Sequence, residues 1–233
     1  MPQESSWDRE YRKSKLLTKE NKPQADVVRF LTFITQKSHT KYILPKNTSV
    51  LDLGSGTGRN SFYFTQLGAH VIGFEFSQTA IDIAQKYARD AGLTINYQKR
   101  SIGAKFPLDS ESVDIALDVT SSNSLTQTER ELFLSETHRV LKHDGYFFTK
   151  ALCKDGDENA KYLLKHSPGP ENDTYILPDI GVFERVWSKS DFINTYEKYF
   201  KIVNLEKKTS YSRMNDRVYK RNFWIVYMQK SSM

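Results

Sequence analysis

Three glycines, at 54, 56 and 58, follow a short apolar run from Val50 to Leu53, and Glu75 stands about 20 residues beyond the first of them. Glycines so spaced let the backbone turn sharply and approach a ligand that a Cβ would push away. An acid at the end of the next strand can accept two hydrogen bonds from a ribose diol. Asp52, inside the strand end just before the turn, adds a second carboxylate. The order strand, glycine turn, helix, strand, acid is half of a nucleotide-binding α/β fold.

The glycine spacing discriminates among nucleotides. Dinucleotide sites use G-x-G-x-x-G, whose third glycine packs helix against strand beside a pyrophosphate. Here the pattern is G-x-G-x-G, and Arg59 occupies the position that fingerprint reserves for glycine. Asp52 would repel a pyrophosphate but suits a ligand bearing an ammonium group. Through V-L-D-L-G-S-G-T-G at 50–58 the chain resembles the class I S-adenosylmethionine-dependent methyltransferases. Gly58-Arg59-Asn60-Ser61 and the pair Leu67-Gly68 look like the tellurite-resistance-type and related small-molecule members. The likeness covers roughly residues 45–230.

That resemblance implies S-adenosyl-L-methionine as cofactor, with no metal. Asp52 and the turn of Gly54, Ser55, Gly56, Gly58 and Asn60 would hold its amino-acid portion. Glu75 would fix the ribose, and Phe76 would pack on the adenine while also completing the core. In Arg100-Ser101-Ile102, Ser101 stands where the family often places an aspartate for the adenine amino group. The fourth strand end, Asp118 and Val119 through Asn123, would border the methyl-transfer site. Asp118, Tyr11 and the acids of the 154–187 connection are the candidate general bases, and a thiolate or amine acceptor would need none.

Two regions are expected to choose the acceptor. Trp7-Asp8-Arg9-Glu10-Tyr11 looks like the N-terminal lid of many small-molecule methyltransferases. Its i, i+4 aromatics equally suit a helix docked on the sheet. Residues 154–187 form a connection far longer than the usual ~4–6 residues. It carries Pro168-Gly169-Pro170, Tyr175, Phe183, Arg185 and Trp187, a composition of an ordered lid rather than a loose linker. A small molecule is therefore the expected acceptor, with a protein side chain next and RNA third. Basic and aromatic residues interleave near the C-terminus, at Tyr211, Arg213, Arg217, Tyr219, Lys220 and Arg221. They fit either an RNA-contacting surface or a solvated hairpin edge kept from pairing by its charges.

Other chemistries are set aside by what is missing. Asp118-Val119-Thr120-Ser121 is unlike the (Asp/Asn)-Pro-Pro-aromatic motif of adenine and glutamine amino-group methyltransferases. No Pro-Cys stands there for cytosine C5 transfer. Cys153 follows the fifth strand, where some RNA C5 enzymes keep a nucleophile, but its surroundings lack their pattern and suit a packing residue. The paired acids of aminopropyltransferases are missing, Arg59 breaks a dinucleotide turn, and a silent cofactor-binding subunit would usually have lost the glycines or the acid.

These residues need a scaffold, and the patterning supplies one. Val50–Leu53, His70–Glu75, Thr94–Gln98, Val113–Asp118 and Tyr146–Ala151 read as strands. Helices are expected over 26–35, 59–67, 79–91, 126–141 and 188–200, with Ser77, Thr126 and Ser188 at N-caps. Two last strands, near 201–208 and 222–229, close the chain. The expected fold is α/β: a Rossmann-like, seven-stranded, mostly parallel sheet with helices on both faces and an antiparallel terminal strand. One methyltransferase domain spans 1–233: a lid or helical segment to 45, a cofactor-binding half at 46–153, the insertion at 154–187, and a helix and hairpin at 188–233.

At 233 residues and 38% hydrophobic content the chain can bury one full core. No apolar run approaches the ~18 residues of a membrane span, and the polar stretch Met1–Ser6 does not read as a signal peptide. One cysteine precludes an internal disulfide and a cysteine-cluster metal site. The expected setting is cytoplasmic, with no membrane partner. A net charge of +6 tolerates anionic substrates without demanding them.

Overall fold

The computed structural model describes residues 2–13, 22–37, 44–45, 47–178, 180–214 and 217–230. Two helices come first, α1 (Pro2–Arg12) and α2 (Ala25–Lys37). The apolar stripe of α2 buries Val27, Phe30, Leu31 and Ile34. Asp26, in its first turn, is buried too, and is matched by Lys150 and Lys208 at 3.0 and 2.6 Å. Two cations from two different strands thus pin the start of this helix to the sheet.

The strand–helix alternation follows: β1 (Ser49–Leu53), α3 (Arg59–Gln66), β2 (His70–Glu75), α4 (Gln78–Asp90), β3 (Asn96–Lys99) and β4 (Val113–Val119). After a short 3₁₀ turn at Ser122–Ser124 come α5 (Gln127–Val140) and β5 (Leu141–Leu152). The long connection then folds into α6 (Glu158–His166) and an antiparallel pair, β6 (Thr174–Leu177) and β7 (Val182–Arg185). The chain continues through α7 (Lys189–Tyr196), β8 (Phe200–Met214) and β9 (Arg217–Lys230).

Seven strands form one sheet in the order β3-β2-β1-β4-β5-β9-β8. The first five are parallel, and β9 runs antiparallel between β5 and β8. Strand alternation divides the core between the two faces. Val50, Ile115, Leu117 and Phe148 pack toward α2, α3 and the β6–β7 pair. Leu51, Leu53, Ala116 and Phe147 pack toward α5 and α7. Because β1 pairs with β2 on one side and β4 on the other, the chain reverses direction beside β1, and a crevice opens at the carboxyl ends of these strands.

Local signals set the helix starts. The Ser77 hydroxyl accepts from the Ala80 N–H at 3.2 Å, and Thr126 with Glu129 forms a reciprocal capping box. Ser188 accepts from the Asp191 N–H at 3.1 Å. Several boundaries differ from the sequence pattern, and β5 starts at Leu141 rather than Tyr146. Strand β3 starts two residues later than its apolar run, at Asn96. Helix α7 stops at Tyr196. The last two strands stay paired out to Met214 and Arg217, because ladder hydrogen bonds join backbones and do not need the apolar side chains that mark a strand in sequence.

Candidate functional site

A cavity of about 840 Å³ occupies the crevice. Its floor is the turn after β1, where Gly54, Ser55, Gly56, Thr57, Arg59 and Asn60 face the space. Gly54 and Gly56 adopt φ of +70° and +55°, the left-handed region that L side chains avoid. Space matters as well: a Cβ on Gly54 would lie 2.2 Å from Ser121 Oγ, and one on Gly56 would lie 2.8 Å from the Tyr11 hydroxyl. Gly58 sits behind the floor with φ +83°, and a Cβ there would meet the Tyr97 hydroxyl at 2.2 Å.

The side wall is the end of β2 with the loop after β3. Glu75, Phe76, Arg100, Ser101 and Ile102 line it. Glu75 is buried, and its carboxylate accepts the backbone N–H groups of Gly56, Phe76 and Ser77, each at 2.9 Å. Burial pushes this carboxyl up to about 7, although those three donors act to lower it. Ser55 Oγ is buried with no hydrogen-bond partner and lies behind the turn, 2.9 Å from where a Cβ on Gly73 would stand.

Val119, Thr120, Ser121 and Ser124 form the opposite side. Thr120 adopts φ +65°, rare for a β-branched residue. Two buried side chains hold this turn. Asn123 donates to the Thr120 carbonyl at 3.1 Å and accepts from the Leu152 N–H at 3.3 Å. Asp118 accepts from the Ser121 and Ser122 N–H groups, the Ser122 hydroxyl and the Thr149 hydroxyl. Neither residue lines the cavity. With those partners, the Asp118 carboxylate caps its own turn, and burial pushes it above the usual range.

The roof comes from two distant parts of the chain. Gln3, Trp7 and Tyr11 lie on one side of α1, and Pro168, Pro170, Ile176 and Phe183 belong to the insertion. Helix α1 is tied down at both rims. Asp8 Oδ1 accepts from Ser77 Oγ at 2.8 Å and from the Thr79 N–H at 3.1 Å, so a residue of α1 joins Ser77 at the N-terminus of α4. Across the cavity Gln3 Nε2 donates to the Ser124 carbonyl at 2.6 Å, and Arg9 Nη2 to the Ile180 carbonyl at 3.2 Å. Tyr11 is half-buried above Gly56, and burial followed by the charge of Glu75 pushes its phenol well above the usual range.

The structure therefore brings eleven of the sequence candidates to the cavity: Trp7, Tyr11, Gly54, Ser55, Gly56 and Asn60, with Glu75, Phe76, Ser101, Ile102 and Val119. It does not bring Asp52, Gly58, Asp118, Asn123, Tyr175, Arg185 or Trp187 to the wall. Asp52 is buried behind the turn, accepts from Ser61 Oγ at 2.6 Å, and is pushed by burial up to about 6. Tyr175 points into the core, where its hydroxyl donates to Glu184 at 2.8 Å and accepts from Arg221 at 2.5 Å. Trp187 is buried against Phe192 and Tyr196. Arg185 lies over the Trp187 ring, 4.3 Å from its centre. Ile176 and Phe183, which the aromatic content of the insertion did not single out as a pair, are the residues that reach the cavity. They face each other across β6 and β7, one position from the core-facing Tyr175 and Val182.

The C-terminal basic residues divide. The Arg213 and Arg217 side chains lie outside the described residues. Arg221 is buried in the Tyr175 network, whereas Tyr211 and Lys220 are exposed. Cys153 is fully buried, and burial pushes its thiol up to about 11. Among the described residues no group of three or more His, Cys, Asp or Glu is placed to hold a metal ion, and no helix is long and apolar enough to cross a membrane.

Comparison with known proteins bears on this geometry. Residues 50–145 match the sequence model of a family described as a methyltransferase domain. A ubiquinone biosynthesis O-methyltransferase of Bartonella quintana is 28% identical over 134 residues, covering 55% of this chain and 53% of its own. The chain thus spans about half the length of the curated relatives it matches. A S-adenosylmethionine-dependent methyltransferase of Methanosarcina mazei superposes with a TM-score of 0.73 at 18% identity, over 91% of this chain and 100% of the other. The 1,6-didemethyltoxoflavin-N1-methyltransferase of Burkholderia thailandensis, solved with bound 1,6-didemethyltoxoflavin and S-adenosylhomocysteine, gives 0.71 at 15% identity over 99% and 88%. At those identities the structural likenesses speak for the fold.

Proposed function

We propose that the chain, whose residues 50–145 match a methyltransferase-domain family, is a class I S-adenosylmethionine-dependent methyltransferase that transfers a methyl group to a small-molecule acceptor bound in the same cavity. One observation carries the reading: the same cavity is lined by the glycine turn and Glu75 and by the residues of α1 and the insertion. Its volume of about 840 Å³ lies toward the upper end of small-molecule sites, which run ~300–1,000 Å³. That is room for a cofactor and a small acceptor together.

The chain's residues fit the cofactor. The backbone at Gly54 and Gly56, where no Cβ intrudes, would lie against its amino-acid part, and Glu75 would accept the ribose hydroxyls. When bound, S-adenosylmethionine supplies a sulfonium methyl that an acceptor lone pair takes as the carbon–sulfur bond breaks and its electron pair returns to sulfur. The protein's work is to align and to exclude water. Trp7 and Tyr11 close the space above the turn, and the Asp118-capped turn fixes Thr120 and Ser121 beside it. Residues 154–187 serve as the acceptor lid in this reading. Asp118 is committed to its own turn, and burial holds the Tyr11 phenol protonated, so neither supplies the general base. The family cofactor is an intracellular metabolite and Cys153 is a free thiol, which together favour a cytoplasmic setting.

Isothermal titration with S-adenosylmethionine, S-adenosylhomocysteine and NAD tests the cofactor. Both sulfur nucleotides should bind and NAD should not; NAD binding alone would overturn the reading. Incubation with methyl-labelled cofactor and a fractionated cell extract tests the acceptor. Label should enter the low-molecular-weight fraction, and label found only in protein or RNA would sink the small-molecule assignment.

A further inference from the structure

The acceptor end of the cavity has a definite chemistry, and its residues come from the roof rather than from the family motif. Ile176 and Phe183 are directly paired across the β6–β7 ladder and face the cavity. Pro168 and Pro170 extend that surface, and Trp7 of α1 lines it as well. These are two flat aromatic rings, two saturated proline rings and one branched alkyl group, with no side-chain donor except the indole N–H. Ile176 is 40% exposed in spite of being apolar, so the wall leaves hydrophobic area open on the inside of the insertion.

Charge around the rest of the lining is balanced, two acids against two cations. The lining acids are Glu75 and Glu129, and the lining cations are Arg59 and Arg100. Glu129 is engaged in its capping box, accepting from the Thr126 N–H and hydroxyl. Arg100 donates to the Lys105 carbonyl at 3.3 Å and lies 5.9 Å from the Phe74 ring centre, on the side of β2 and β3. Glu75 belongs to the turn, as does Arg59. An ionised acceptor at the Ile176–Phe183 wall would lose hydration without meeting a counter-charge there.

We infer that the acceptor is an uncharged, flat, mainly apolar ring compound, selected by the Ile176–Phe183 pair together with Trp7. The inference rests on the methyltransferase reading above and adds to it the acceptor class and the residues that choose it. Ring faces stack on ring faces with a preference that saturated rings of equal size lack. The opening left for polar atoms lies toward Thr120 and Ser121, whose turn borders the floor.

Three matched probes test it on the full chain with S-adenosylhomocysteine present: 2-naphthol, its saturated counterpart decahydro-2-naphthol, and 2-naphthoate. Isothermal titration should show 2-naphthol binding at least about tenfold tighter than the other two. Phe183→Ala should weaken 2-naphthol about tenfold, and Ile176→Asp, at a partly exposed position that tolerates a polar group, should do the same. S-adenosylhomocysteine affinity should stay within about twofold in both variants, which separates the acceptor wall from the cofactor site. Equal or tighter binding of 2-naphthoate overturns the charge argument. Equal binding of the saturated alcohol overturns the flat-ring argument. Failure of 2-naphthol to bind, or binding untouched by both variants, overturns the wall. If S-adenosylhomocysteine itself does not bind, the methyltransferase reading fails first, and that arm is read separately.

Discussion

The Gly56 N–H donates to Glu75 Oε2 at 2.9 Å, so the glycine turn after the first strand and the acid ending the second strand are one hydrogen-bonded unit. The turn is shaped by the acid that shares its site, and the acid is held by the turn, by Phe76 and by Ser77. Perturbing Glu75 therefore reaches both halves of the cofactor site.

Glu75 makes cofactor affinity depend on pH. Burial pushes its carboxyl up to about 7, above the ~4.3 of a free glutamate. In the free protein its contribution to stability is complete below the unfolded value and is lost as pH rises through about 7. Accepting ribose hydroxyls requires the ionised form, so binding moves the other way. Affinity for S-adenosylhomocysteine should rise about tenfold from ~pH 6 to ~pH 8, and Glu75→Gln should flatten the profile. Glu75→Ala should cost about 1–3 kcal/mol of binding through unpaired ribose hydroxyls. A profile unchanged in Glu75→Gln, or an unchanged dissociation constant in Glu75→Ala, counts against the ribose role.

Gly58 is required for two separable reasons. Its φ of +83° strains any L side chain, and an added Cβ would meet the Tyr97 hydroxyl at 2.2 Å and Cζ at 2.9 Å. Gly58→Ala should lower unfolding free energy by about 2–4 kcal/mol in urea titration. Adding Tyr97→Phe should recover part of that loss but not all, because the backbone strain and the ring carbon remain. Full recovery would show that the hydroxyl alone was at fault.

Helix α1 is latched by Asp8. Burial works to raise this carboxyl, but hydrogen bonds from Ser77 and Thr79 and the charge of Arg12 outweigh it and hold the group below its usual range. The contact is therefore stabilising above the unfolded value and is lost as pH falls through the lower native one. Asp8→Ala should cost about 1 kcal/mol and raise amide exchange in α1 while the central strands keep their protection. Unaltered exchange in α1 would show that the helix is held by its apolar contacts alone.

Cys153 tests the nucleophile alternative. Its thiol is buried, donates to the Asp155 carbonyl at 3.6 Å, and is pushed by burial up to about 11 although the charge of Lys207 acts to lower it. Iodoacetamide should label it at least ~100-fold more slowly in the native protein than in urea. Cys153→Ala should leave S-adenosylhomocysteine affinity within about twofold. Rapid native labelling would reopen the thiolate reading.

The sequence by itself determined the parts that are local. The glycine turn, Glu75 at the next strand end, the caps at Ser77 and Thr126, and the alternating strands each follow from residue type at short spacing, and all are in the structure. Only the tertiary structure decided where lone side chains point. Asp118 at a strand end reads the same whether it faces a ligand or caps its own turn, and here four donors from 121, 122 and 149 claim it. In the insertion, aromatic size drew attention to Tyr175 and Trp187, but strand side chains alternate, and a one-residue offset exchanges core for cavity. Tyr175 went inward to Glu184 and Arg221, and its neighbour Ile176 took the wall opposite Phe183. The cofactor's motif is contiguous, so local chemistry encodes it. The acceptor wall is assembled from α1 and a distant hairpin, and only the packing that joins them could say which face each presents.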